Sequence, residues 1–150
     1  MEGIIIEEVT FSPTNHDIEF ITQAINEESQ KQGIIDKAYP FAFFIRDQTG
    51  QIIAGCNGSL VYGAIYTDQL WIHVNYRNKG FGRLLMEKVH NLGRQQGCIF
   101  ATVATMDFQN ARGFYEHLGY ECDFERKGYS NQSILQFLKK DITLDSGNKK

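Results

Sequence analysis

The stretch DQLWIHVNYRNKGFGRLLMEKV, residues 68–89, decides how this chain is read. Its first part is rich in aromatic and β-branched residues and reads as the end of a strand; its last part repeats apolar residues at helical spacing. Between them stand two glycines, Gly80 and Gly82, among three cations, Arg77, Lys79 and Arg83. Where a strand turns into a helix, the first helical N–H groups have no intrahelical partner and the macrodipole adds partial positive charge. Glycine there allows a positive φ and lets a ligand approach the backbone without a Cβ in the way. Such a junction suits phosphate, and the cations make it suitable for a pyrophosphate. Two glycines in a tight turn beside solvated cations remain an alternative on spacing alone. A Walker A loop would need Ser or Thr after Gly-Lys, and a GxGxxG fingerprint would need glycine where Leu85 stands.

Working outward, Leu85, Val89 and Leu92 lie on one helical face, and Gly97 ends that helix. CIFATVAT, residues 98–105, is a continuous apolar run of strand length, so strand, helix and strand form a crossover with a parallel pair. Upstream, PFAFFIRD at 40–47, the turn DQTG at 47–50 and QIIAGCNGSLVYG make a hairpin, and residues 64–74 extend it as a third strand after a turn at Tyr62 and Gly63. Before these, Ile4–Val9 reads as a first strand, and Ile18, Ile21 and Ile25 mark a helix started by Ser12 or Thr14 and ended near Gly33. Downstream, a helix from about Phe108 to Leu118 is expected with Asp107 as its cap, then strands near 120–126 and 132–138. The order β, α, β, β, β, α, β, α, β, β implies an α/β fold with a mixed sheet.

At 150 residues with 42% hydrophobic content, a single domain over 1–140 with a polar tail at 141–150 is the simplest division. No apolar run approaches the ~18 residues of a membrane span. The start MEGIIIEEV carries acid where a secretory signal carries Lys or Arg, so a cytoplasmic protein without membrane contact is expected. A net charge of −3 argues against nucleic acid as a partner. Cys56, Cys98 and Cys122 are odd in number and widely spaced, and read as small core residues. No histidine pair has metal-ligand spacing, so no metal is expected; His16, His90 and His117 are expected at the surface.

Residues Arg77, Asn78, Lys79, Gly80, Phe81 and Gly82 resemble motif A of the GCN5-related N-acetyltransferases, [QR]xxGx[GA] between a strand and a helix. ARGFYEHLGY, residues 111–120, is similar to that family's motif B, A-x-x-FY-x-x-x-G-[FY], in the right order and separated by one helix and one strand. The resemblance implies a mostly antiparallel central sheet with a parallel pair splayed around the cofactor and helices on both faces. It implies acetyl-coenzyme A as co-substrate, its diphosphate on the backbone amides between Arg77 and Arg83. It also implies main-chain contacts from Ile72 and Val74 to the pantetheine arm. Two positions depart from the pattern: Val74 stands where many members have proline, and Phe108 where motif B commonly has asparagine, with Asn110 a displaced substitute.

The resemblance further implies a role for Tyr115 as the general acid that protonates the departing thiolate. The alternative for Phe114 and Tyr115 is an aromatic pair in the core. Asp68 resembles an acidic position of many relatives and is the candidate base or cation-attracting group; an ordinary solvated aspartate is its alternative. His73, an imidazole next to this strand, is a further base candidate but is expected on the opposite face. An oxyanion would be met by a main-chain N–H near Ile72. Tyr39, Phe41, Phe43, Tyr62, Tyr66 and the loop near Tyr129 supply aromatic surface for an acceptor pocket, or ordinary hairpin core. The implied activity is N-acetyl transfer to a primary amine of a small molecule or a protein. Rival readings are a non-catalytic acyl-coenzyme A sensor and an interaction module; homodimerisation is left open.

Overall fold

The computed structural model describes residues 2–143. The chain divides into two units, Met1–Ile35 and Asp36–Lys150. In the first, helix α1 spans Asn15–Lys31. Thr14 is its N-cap, Oγ1 accepting from the Asp17 N–H at 3.3 Å, and Gly33 at φ +84° turns the chain out of it. The strand expected at Ile4–Val9 is not formed, and these residues carry no regular structure. β-branched residues favour extended backbone, but a strand exists only where a ladder takes up its N–H and C=O groups.

The second unit holds a six-stranded sheet. Strands β1 (Tyr39–Arg46), β2 (Ile52–Val61) and β3 (Ala64–Ile72) form an antiparallel meander. Tyr62 (φ +48°) and Gly63 (φ +89°) supply the two positive φ values of a tight hairpin between β2 and β3. Helix α2 (Phe81–Gln95) crosses over to β4 (Phe100–Met106), which pairs with β3 in parallel. Helix α3 (Arg112–His117) and strands β5 (Glu121–Tyr129) and β6 (Ser133–Asp141) complete the unit. β6 inserts between β4 and β5, giving the order β1-β2-β3-β4-β6-β5. The sheet is thus mixed, with a single parallel pair among the described residues, and flanked by helices.

One apolar cluster joins α2, α3 and the sheet through Leu85, Met86, Val89, Ala101, Val103, Tyr115 and Leu138. At Gly93 α2 packs closely on the sheet and the residue after β6: a Cβ would lie 2.7 Å from Ile142 Cδ1 and 2.9 Å from Ile65 Cγ2. Ile142 is fully buried and β6 runs to Asp141; of the tail expected at 141–150, residues 144–150 fall outside the described residues. Cys56 and Cys98 are buried and Cys122 half-buried, all as free thiols. His90, expected at the surface, is buried and bonds Tyr120 Oη at 2.8 Å, because α2 buries one more ridge than its aliphatic residues mark. No helix among the described residues is long and apolar enough to cross a membrane.

Candidate functional site

The parallel ladder between β3 and β4 is short. Its pairs run from Ala64 with Phe100 to Thr67 with Val103 and stop there, although β3 continues to Ile72 and β4 to Met106. The two strands part beyond that point. A bulge on β3 accompanies the parting: Gly58 pairs with Thr67 and Asn57 with Gln69, leaving Asp68 as the extra residue. Only glycine fits at position 58, since a Cβ would sit 1.8 Å from the Tyr66 carbonyl oxygen.

Past the bulge, β3 still pairs with β2 as far as Ala54 with Ile72. The His73 N–H donates to the Ile53 carbonyl at 2.8 Å, so alternation along an antiparallel strand sends the main-chain groups of Leu70 and Ile72 to the other edge. That edge faces the parted β4 and has no strand beside it. The Ile72 carbonyl confirms the direction by accepting from Arg77 Nε at 2.9 Å. A groove of about 930 Å³ fills the gap.

The strand does not run on to Val74. A 3₁₀ turn, Val74–Tyr76, intervenes, with His73 Nδ1 accepting from the Asn75 N–H at 3.0 Å. Val74 is exposed and does not line the groove, and neither does Lys79, whose Nζ lies 5.8 Å from the Tyr76 ring centre. Arg77, Asn78, Gly80, Phe81, Gly82 and Arg83 all line it. Asn78 at φ +60° and Gly80 at φ +89° are both left-handed, and they turn the chain sharply into α2.

The two glycines serve different ends. Gly80 has nothing within 4 Å of a would-be Cβ and is needed for its φ. At Gly82 a Cβ would press to 3.1 Å from the Phe114 ring, so this glycine lets α3 pack against the start of α2. α2 begins without a side-chain cap and without an acidic residue in its first turn. Its leading N–H groups and dipole are thus left for the groove, beside Arg77 and Arg83.

Across the groove, the helix expected from Phe108 to Leu118 is broken. A 3₁₀ turn, Asp107–Gln109, is followed by left-handed Asn110 at φ +55°, and only then by α3. Asp107 does not cap α3; its Oδ1 accepts from the Ile134 N–H at 3.1 Å, tying this corner to β6. Phe108 is exposed, while Gln109 and Asn110 line the groove. Tyr115 also lines it, with its ring buried against Phe114 (5.1 Å) and Tyr120 (5.4 Å). Its hydroxyl has no hydrogen-bond partner among the described residues. Burial, reinforced by Cys56, pushes this phenol up to about 12.

Asp68 is exposed at the groove's edge, where Oδ1 accepts from Tyr66 Oη at 3.2 Å. The bulge breaks the alternation that would set Asp68 and Ile72 on one face. Burial first, then Asp68, raise the Tyr66 phenol. Tyr39, Phe41, Phe43, Tyr62, Tyr66 and Tyr129 do not line the groove, and Phe41 and Phe43 pack against the core. Leu70, Thr105 and Gln109 line it without having been singled out from sequence; the strand parity of Leu70 with Ile72 was the available signal.

These features fit an extended ligand with a polyanionic end. A chain with amide groups can lie along the free edge of β3, and a diphosphate can meet the uncapped start of α2.

Comparison with known proteins agrees. The profile of the acetyltransferase (GNAT) family matches residues 6–120. Blasticidin-S acetyltransferase of Streptomyces morookaense is 32% identical over 81 residues, 53% of this chain and 59% of that protein. The chain spans about half the length of the curated relatives it matches. An acetyltransferase structure from Bacillus cereus superposes with a TM-score of 0.70 at 18% identity, over 89% of this chain and 97% of that one. An aminoglycoside 6′-N-acetyltransferase complexed with coenzyme A gives 0.62 at 16% identity, over 79% of this chain and 80% of that one. At such identities the superpositions speak for the fold, and the profile speaks for descent. Because its matched span takes in the parted strands, the glycine turn and Tyr115 together, the chain belongs to the acetyltransferase (GNAT) family, whose enzymes use acetyl-coenzyme A.

Proposed function

We propose that this protein transfers an acetyl group from acetyl-coenzyme A to a primary amine of a small molecule. The observation that carries the reading is the unpaired edge of β3 beyond Thr67, set opposite parted β4 and leading into an uncapped helix start. When bound, acetyl-coenzyme A supplies an activated thioester carbonyl. The amides of Gly80–Arg83, with Arg77 and Arg83, hold its diphosphate, and Leu70 and Ile72 hold its arm by main-chain bonds. A main-chain N–H on the same edge stabilises the charge that develops on the carbonyl oxygen.

Tyr115 serves as the proton donor at sulfur. With its phenol raised to about 12, it stays protonated throughout the neutral range. A thiol near 8.5 is the stronger acid by roughly three units, so the phenol alone would give up its proton uphill. Tyr115 therefore acts first as a hydrogen-bond donor to the developing sulfur charge; as the C–S bond breaks its proton passes to sulfur, and the proton shed by the newly acylated nitrogen, relayed through water, restores the phenol. Burial that disfavours the phenolate disfavours the thiolate too, which narrows the gap. Asp68, exposed at the rim, attracts the acceptor's ammonium group and takes its proton, directly or through water. The named activity of the blasticidin-S relative supports a small-molecule acceptor.

Calorimetric titration with coenzyme A, followed by a panel of primary amines with acetyl-coenzyme A, tests the reading. Saturable 1:1 binding and acetylation of at least one amine are expected. Absence of binding would refute it, and binding without turnover of any amine would favour a sensor.

A further inference from the structure

Tyr115 stands on a helix too short to hold it by itself. α3 has six residues, and helices of that length are not stable in isolation, so its place depends on what ties down its end. The Leu118 and Tyr120 N–H groups both donate to the Tyr115 carbonyl at 3.0 Å, and the Gly119 N–H donates to the Glu116 carbonyl at 3.0 Å, with Gly119 at φ +96°. These bonds make a Schellman motif, in which the second residue after the C-cap packs against the residue three before it. Here that pair is Tyr120 and Tyr115, and their rings meet edge to face at 5.4 Å.

Tyr120 is in turn held by the other helix. Its Oη and His90 Nε2 share a hydrogen bond of 2.8 Å, and both residues are buried. Neither lines the groove, so any effect of this pair on the reaction passes through Tyr115. A hydrogen-bonded pair is a poor choice if packing is its whole purpose. Two apolar side chains of the same shape would be about as stable, because desolvation of the polar groups offsets most of what one bond returns. What apolar contact lacks is direction. A ring held by dispersion alone can slide or tilt at little cost, whereas a buried hydrogen bond fixes where its tip lies.

We propose that His90 and Tyr120 form a positioning pair for Tyr115: the hydrogen bond locks the Tyr120 ring to α2, and that ring, edge-on against Tyr115, keeps the Tyr115 hydroxyl aimed at the sulfur of the bound thioester. The helix whose start holds the diphosphate thereby also sets the place of the proton donor. This rests on the role proposed for Tyr115 above.

Steady-state kinetics with acetyl-coenzyme A and a reactive amine test the pair in Tyr120→Phe, in Tyr115→Phe, in the two combined, and in Tyr120→Phe combined with His90→Leu. Tyr120→Phe removes one hydroxyl outside the groove. kcat should fall by about tenfold or more, while calorimetric affinity for coenzyme A changes by less than about twofold. In the Tyr115→Phe background the same change should cost nothing further, because no hydroxyl is left to aim. Adding His90→Leu to Tyr120→Phe leaves no polar atom stranded, so urea unfolding should show stability regained while kcat stays low. An unchanged kcat in Tyr120→Phe would overturn the proposal, as would a further loss of about tenfold in the Tyr115→Phe background. Return of kcat together with stability in the His90→Leu combination would also overturn it, since packing and not direction would then be the cause. Full activity in Tyr115→Phe would overturn it along with the proton-donor reading, and that single variant identifies this case.

Discussion

At the scale of the residue, Tyr115 is the side chain whose surroundings matter most. Its ring lies in the core cluster, yet it borders the groove with a hydroxyl that no described residue engages. Core residue and proton donor are thus not rival roles here. The aromatic packing fixes the ring, and the raised phenol keeps its proton for use. Tyr115→Phe removes one oxygen and little packing. Coenzyme A affinity should change by less than about threefold, while the acetylation rate at neutral pH should fall by about 100-fold, within the usual range for general acid–base catalysis. Calorimetry beside a steady-state assay decides this, and parallel loss of both would show that the hydroxyl serves binding. Gly82 makes the same point from another side: a residue that seemed chosen for a ligand is chosen for the Phe114 ring, and only Gly80 is there for its backbone angle.

At the scale of the element, the bulge in β3 marks the site. The extra residue at Asp68 lies where β3 and β4 part, and the neighbouring Thr67 Oγ1 and Asn57 Oδ1 are buried without hydrogen-bond partners among the described residues. Each such atom costs on the order of 1–3 kcal/mol, a stability cost located beside the groove. Gly58 makes the bulge sterically possible. Gly58→Ala sets a methyl against the Tyr66 backbone rather than a movable side chain, so β2 or β3 must shift. A destabilisation of more than about 3 kcal/mol is expected by urea unfolding, at the severe end for a one-carbon change. A loss below about 1 kcal/mol would mean that the bulge can relax without its glycine.

At the scale of the whole molecule, the buried pair His90–Tyr120 links α2 to the start of β5 and makes stability depend on pH. Burial, then Lys140 and Arg94, hold the imidazole down at about 4, below its ordinary 6.5. Between these values the unfolded chain binds a proton that the folded one refuses. Stability from this group is therefore complete above pH 6.5 and is lost as the pH falls towards 4, by about 3 kcal/mol. Denaturant unfolding of wild type and His90→Gln across this window should show a shallower fall in the variant; identical slopes would disprove the assignment.

Much of this architecture was legible in the residues. The strand, glycine turn and helix of 68–89, the parallel crossover and the hairpins are local patterns, and local sterics and hydrogen bonding determine them without distant help. So too is the concentration of cations at a helix start in a chain of net charge −3. What tertiary structure alone decided is non-local. Ile4–Val9 has strand composition but no ladder, His90 is polar but falls on the buried ridge of α2, and Val74 follows a strand that ends at Ile72. The parting of β3 from β4, and the left-handed turn that aims Gln109 and Asn110 at the gap, depend on which strand edges meet and which are left bare. A chain's own sequence states its preferences residue by residue, whereas pairing is a property of two segments far apart, and so it is settled only when they pack.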